Sequence, residues 1–153
     1  MVKNSKKKPI KAELAPKIPD GYKAVLELIV GKITAAQTRA MVAVNCELIE
    51  VYRDIGETIY DQQQSAKWGS SVVEQLASDL QKKFPGMRGF SSRNLWIMKD
   101  FYTSYRDSVK LQTLSAEISW SHNVAILSKC EDLLEREFYM RMSKKILGVI
   151  VFF

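Results

Sequence analysis

ITAAQTRAMVAVNCELIEVYRDIGETI, residues 33–59, decides the fold class. Its apolar side chains recur at Ile33, Ala36, Ala40, Val44, Leu48, Val51, Ile55 and Ile59. Those steps of three and four are the period of a helix. Gln37, Arg39, Asn45, Arg53 and Asp54 fall on the other side. The spacing predicts a long amphipathic helix over about Ile33–Gln63, with one apolar stripe that must find a partner surface. That partner is the rest of the domain or another copy of the chain.

The sequence upstream is of another kind. Residues 1–20 are rich in lysine, carry Pro9, Pro16 and Pro19, and hold little to bury, so they read as a disordered basic arm. Asp20 is placed to cap a short first helix from near Tyr22, and Gly31 is placed to break or kink it.

Downstream, Gly69-Ser70-Ser71 is a break, and Ser71 with Glu74 has the spacing of a capping box. The helix that follows shows Val72, Val73, Leu76, Ala77 and Leu80, and Pro85-Gly86 stops it. Ser91 or Ser92 caps the next, to about Tyr105, with Leu95, Met98, Tyr102 and Tyr105 facing the core. Residues 107–117 read as a polar connection with a short extended piece at Ala116–Ile118. Ser119 or Ser121 starts another helix. Glu131 and Asp132 open the last, with Leu133, Leu134, Phe138, Tyr139 and Met142 as its apolar positions. Residues 146–153, ILGVIVFF, read as an atypical apolar tail, and a truncated or frameshifted end explains it better than a buried strand. The expected architecture is all-α: a long helix plus a helix-turn-helix or winged-helix-like bundle over residues 21–145.

Composition narrows the function. The 153 residues suffice for one domain with a real core. The net charge of +6 is uneven, because residues 1–17 contribute +5 and the remainder only +1. Overall charge is therefore weak evidence for nucleic-acid binding. Cys46 and Cys130 lie far apart in sequence and His122 is the single histidine, so a disulfide framework or a His/Cys metal site is not expected. Two lone thiols suit the cytoplasm. No apolar run approaches the ~20 residues that span a bilayer. No cofactor, small-molecule substrate or membrane contact is expected.

Catalytic patterns are missing. A PD-(D/E)xK nuclease needs two carboxylates on metal and a lysine two residues past the second. The chain contains no Asp-x-Lys or Glu-x-Lys, and no phosphate-binding glycine loop, G-x-S-x-G or H-E-x-x-H. Ser121 and His122 are adjacent on a helix and point apart, so His122 is expected to be a packing or capping residue.

One stretch stands out by charge. Between Gln81 and Arg106 lie Lys82, Lys83, Arg88, Arg93, Lys99 and Arg106, opposed only by Asp100. Arg93 and Asn94 fall in the first turn of the second helix of a helix–turn–helix pair, where a recognition helix meets base edges, and suit guanine and adenine respectively. Ser91, Ser92 and the helix N-terminal amides are placed to hold a phosphate, with Lys82, Lys83 and Arg88 as backbone contacts. The expected partners are DNA and, through the long helix, further copies of the chain. A pure assembly module without DNA contact is the alternative.

These residues also carry a resemblance. VYRDIGETI (51–59), Trp68-Gly69, VVEQLASDL (72–80), FPGMRGFSSRNL (84–95) with Met98 and Phe101-Tyr102, Ile118-Ser-Trp-Ser-His122 and Arg136-Glu-Phe-Tyr139 together resemble the N-terminal domain of YhcG-type proteins, over about residues 30–145. Tyr52 stands where that family often has Trp. The resemblance implies a helical domain that binds DNA or mediates assembly ahead of a PD-(D/E)xK nuclease domain, without the nuclease residues themselves.

Overall fold

The computed structural model describes residues 16–150, with side chains through Ile146. Residues 1–15 of the basic arm, and the side chains of most of the apolar tail, lie outside the described residues. Helices are α1 (Tyr22–Ala66), α2 (Ser70–Lys83), α3 (Ser92–Tyr105), α4 (Val109–Ala116), α5 (Trp120–Lys129) and α6 (Leu133–Ile150). The fold is all-α, and no strand, hence no β wing, occurs among the described residues.

The chain divides into two units, Met1–Ala36 and Gln37–Phe153. The described part of the first is residues 16–21 and the start of α1, and all of it through Ala36 is exposed. Gly31 neither breaks nor interrupts α1. A glycine inside a helix costs only about 1 kcal/mol, which many good helical neighbours outweigh.

The second unit contains the core. The end of α1 is set by Lys67, at φ +53°, followed by a Trp68 N–H that donates to Gln62 O at 3.5 Å. A residue in the left-handed region just past the last turn is a common way for a helix to stop. It leads into α2, whose N-cap is Gly69, with no side-chain cap. The expected Ser71–Glu74 capping box does not form, because the helix begins one residue before Ser71. The Gly69 carbonyl takes the Val72 and Val73 amides instead.

Four later starts are side-chain capped. Ser91 accepts from the Asn94 N–H, Ser108 from Leu111, Ser119 from His122 and Asp132 from Glu135, at 3.1–3.3 Å. Each satisfies an amide that the helix itself leaves open. Ser108 marks the largest correction to the sequence reading. Residues 109–116 form helix α4, not a polar connection, and no extended piece occurs at Ala116–Ile118. Leu111, Leu114 and Ser115 are its buried residues.

Two apolar clusters make the core. Tyr52, Ile59, Val73, Ala77, Phe90, Leu95 and Met98 join α1, α2 and α3. Ile49, Phe101, Tyr105, Leu111, Leu114, Ile118, Ile126, Cys130 and Met140 join α1 and α3 to α4, α5 and α6. Trp120 packs against both. The buried face of α1 is Ile49, Tyr52, Gly56 and Ile59. Val44 and Val51, placed on the inner stripe by periodicity, are exposed. Periodicity misses this face because a glycine and a tyrosine occupy its centre. A Cβ on Gly56 would overlap the Met98 carbonyl, so α1 and α3 meet backbone to backbone there.

Helix α6 inverts its expected orientation. Leu133, Leu134, Phe138, Tyr139 and Met142 are all exposed, and Met140 is the buried residue. Polar groups fill the inner face. Arg136 Nε donates to Cys130 O at 2.7 Å, and Glu137 meets Lys110 at 2.6 Å. On α3, Phe101 is buried where the helical spacing favours Tyr102. Tyr102 instead donates to Glu57 at 3.1 Å.

Candidate nucleic-acid interface

The turn between α2 and α3 is built by its sequence. Pro85 and Gly86, the latter at φ +86°, occupy the middle of a turn closed by Met87 N–H to Phe84 O at 3.1 Å. Proline then glycine at those positions is the type II arrangement. Gly89, at φ +105°, is the second requirement, since a Cβ there would come within 2.5 Å of the Tyr52 hydroxyl.

Side chains then tie the loop to the helices. Gln81 Nε2 donates to Phe90 O at 2.9 Å, which fixes the end of α2 to the start of α3. Asn94 Nδ2 donates to Gly89 O at 2.6 Å, and Asn94 Oδ1 accepts from Trp120 Nε1 at 2.9 Å. The Trp120 ring stands edge-on to Tyr52 and Phe101, with centroids 4.8 and 5.3 Å apart.

Lys82, Lys83, Arg88 and Arg93 are all exposed around this tied loop. Among the described residues only Lys82 of these four meets a carboxylate, Asp79, at a long 4.0 Å. Such an exposed pair contributes little and leaves the ammonium available. Phe84 and Met87 are 46 % and 52 % exposed at the same loop. The outer basic residues behave differently. Lys99 lies over Trp96 and beside Asp100, and Arg106 stacks on Tyr60 with its centre 5.0 Å from the ring.

The residues expected to contact DNA therefore divide. Lys82, Lys83, Arg88 and Arg93 share one end of the α2–α3 pair. Ser91 is occupied as a cap, and Ser92 is half-buried. Asn94 is also half-buried, and both ends of its amide are spent inside the protein. No local pattern signals this, because the Trp120 partner is 26 residues away. Helix α3 itself is mainly a core helix, since Leu95, Met98, Phe101 and Tyr105 are buried. Its outward positions are few, and Arg93 stands at the accessible end.

Elsewhere the chemistry is structural. His122 Nδ1 lies 2.6 Å from Ser119 Oγ, so the histidine braces its helix start and does not pair with Ser121. A half-open groove of about 300 Å³ lies between α1 and α4, lined by Cys46, Glu50, Arg53, Gln112 and Glu117 among others. Within it Cys46 Sγ donates to Ala116 O at 3.2 Å, and burial together with nearby glutamates pushes its thiol pKa up. Among the described residues no cluster of three His, Cys, Asp or Glu side chains could hold a metal, and no helix is long and apolar enough to cross a membrane.

Comparison with known proteins locates this architecture. Residues 28–146 match the DUF1016 N-terminal domain. The chain belongs to that family. It is 29 % identical over 103 residues to the protein described as "Putative nuclease YhcG" of Escherichia coli (strain K12), covering 65 % of this chain and 27 % of that protein. The match thus spans about a quarter of its curated relative. No solved structure matches. The resemblance to YhcG-type N-terminal domains carried by the sequence motifs is thereby established, and the chain is the N-terminal domain of that family.

Proposed function

We propose that this family domain is a non-catalytic DNA-contacting module. The observation that carries the reading is the tied turn between α2 and α3, which displays Lys82, Lys83, Arg88 and Arg93 at one end with a single weak carboxylate contact among the described residues. A turn held in one shape suits phosphate contact, because the backbone that carries these cations is fixed before DNA arrives. Lys82, Lys83 and Arg88 supply backbone contacts, aided by amides at the start of α3. Arg93 reaches for a base edge. Asn94 holds the loop in shape and acts through Arg88 and Arg93. Cutting of DNA by a YhcG-type protein would fall to other parts of that protein. A cytoplasmic setting accords with the free thiols Cys46 and Cys130.

Fluorescence titration of duplex and single-stranded DNA at two salt concentrations tests this. The expected affinity falls with salt, and replacing Lys82 and Lys83 by alanine lowers the salt slope by about one for each phosphate no longer neutralised. A well-folded sample that ignores both DNAs at low salt removes the reading.

A second reading is favoured by one observation of its own. From Tyr22 to Ala36, α1 exposes a run of large apolar side chains to solvent. That points to assembly of copies through α1, alone or alongside DNA contact.

A further inference from the structure

Tyr22, Val25, Leu26, Leu28, Ile29, Val30 and Ile33 are each 45–59 % exposed on the first turns of α1. A helix in a protein is stabilised mainly by packing an apolar face, and leaving such side chains solvated adds no stabilisation. The spacing within this set is specific. Tyr22, Leu26, Ile29, Ile33 and Ala36 are separated by four, three, four and three residues, and the sequence continues the alternation at Ala40 and Ala43. A repeat averaging 3.5 residues keeps one seam facing a like helix, where each side chain enters a hole made by four of its neighbour's. A helix packed on an ordinary globular core has no need of that strict alternation.

Resting on the assembly reading, we infer that the seam from Tyr22 to Ala43 is a parallel, in-register two-stranded coiled coil between two copies of this chain. Leu26, Ile33 and Ala40 take one set of core positions, and Tyr22, Ile29, Ala36 and Ala43 the other. The flanking residues select the direction. In the parallel arrangement Val25 faces the second copy's Val30, Lys32 its Gln37, and Arg39 its Val44, so no like charges meet and the valines extend the seam. An antiparallel pair centred on the same stretch sets Lys32 against Lys32 and Val25 against Arg39. Lys23 and Glu27 form an outer pair on the same helix at 4.0 Å, clear of the core positions. Parallel pairing also brings the two Lys-rich N-termini, each +5 over residues 1–17, to the same end. The dimer therefore tightens as salt screens that repulsion, opposite to the salt response of DNA binding.

Light scattering on the full chain, wild type beside the double variant Ile29→Glu/Ile33→Glu, gives the first test. Oxidative cross-linking of Ile29→Cys, with wild type as control for Cys46 and Cys130, gives the second. The expected results are a wild-type dimer, a monomeric double variant with unchanged near-ultraviolet circular dichroism, and a disulfide that joins the two copies of the Ile29→Cys protein at position 29. A monomeric wild type at high concentration removes the assembly reading and the seam together. A dimer that survives the double substitution leaves assembly standing but overturns the seam. Loss of the dimer in the double variant, with no cross-link formed by Ile29→Cys, overturns the parallel register.

Discussion

Trp120 donates its indole N–H to Asn94 Oδ1 across 2.9 Å, joining the first residue of α5 to the first turn of α3. The same Asn94 amide holds Gly89 O in the basic loop. One side chain thus links a buried aromatic cluster to the loop that displays Arg88 and Arg93.

Trp120→Phe removes the donor and leaves a smaller ring between the two clusters. The lost hydrogen bond costs about 1 kcal/mol and the lost packing about 1 kcal/mol or more, so the melting temperature falls by at least about 3–6 °C. Asn94→Ala frees the loop, so DNA affinity falls while the salt slope stays unchanged. Arg93→Ala lowers affinity and relaxes sequence preference, whereas Lys82→Ala lowers affinity and slope together. An Asn94→Ala protein that keeps wild-type DNA affinity shows that the loop does not depend on this tie.

Two glycines of α1 have opposite expectations. Gly56→Ala drives a methyl group into the Met98 carbonyl, and backbone on both sides must move. A loss of about 2–4 kcal/mol in urea denaturation follows. Gly31→Ala meets open space in a helix interior and gains up to about 1 kcal/mol. Equal midpoints for the two variants contradict the close crossing.

Glu137 lies between the Lys110 ammonium at 2.6 Å and the Arg141 guanidinium at 2.9 Å, whose hydrogen bonds hold its pKa below the ordinary carboxylate value. A lowered folded-state pKa means that the carboxylate stabilises the fold above its unfolded pKa, about 4.3. That contribution is lost as pH falls from there through the lower folded value. Glu137→Gln lowers stability at neutral pH and flattens this part of the acid limb. Stability profiles from about pH 2 to pH 7 that run parallel in the two proteins refute the assignment.

Burial pushes the thiols of both Cys46 and Cys130 up. Thiolate is the reactive form, so both cysteines react slowly with a disulfide reagent at neutral pH. The rates rise when urea unfolds the chain. Prompt reaction of either thiol in the native protein is the contrary result.

Sequence periodicity finds helices better than it finds their inner faces. The long helix, the breaks at Gly69 and Pro85 and the serine caps at Ser91 and Ser119 are all local, and all are legible. Helix α4 is hidden because eight residues span barely two turns, and Ser108, Gln112, Thr113 and Ser115 dilute its two leucines. The inner faces of α1 and α6 escape for another reason. Apolar stripes mark surfaces that need a partner, and on these helices part of the stripe faces solvent while Gly56, Arg136 and Glu137 face inward. In the basic loop the cations are legible, since they are close in sequence. The commitment of Asn94 is not, because it depends on Trp120.

The position of Trp120 between the two apolar clusters bears on how the second unit comes apart. Clusters divided between different helices could melt one after the other, as separate foldons. A ring shared by both, and hydrogen-bonded to α3, which with α1 contributes to each, penalises every half-open state. The helices of the second unit should then lose their structure in one step, with tryptophan emission and helical ellipticity superimposing along a single denaturation curve.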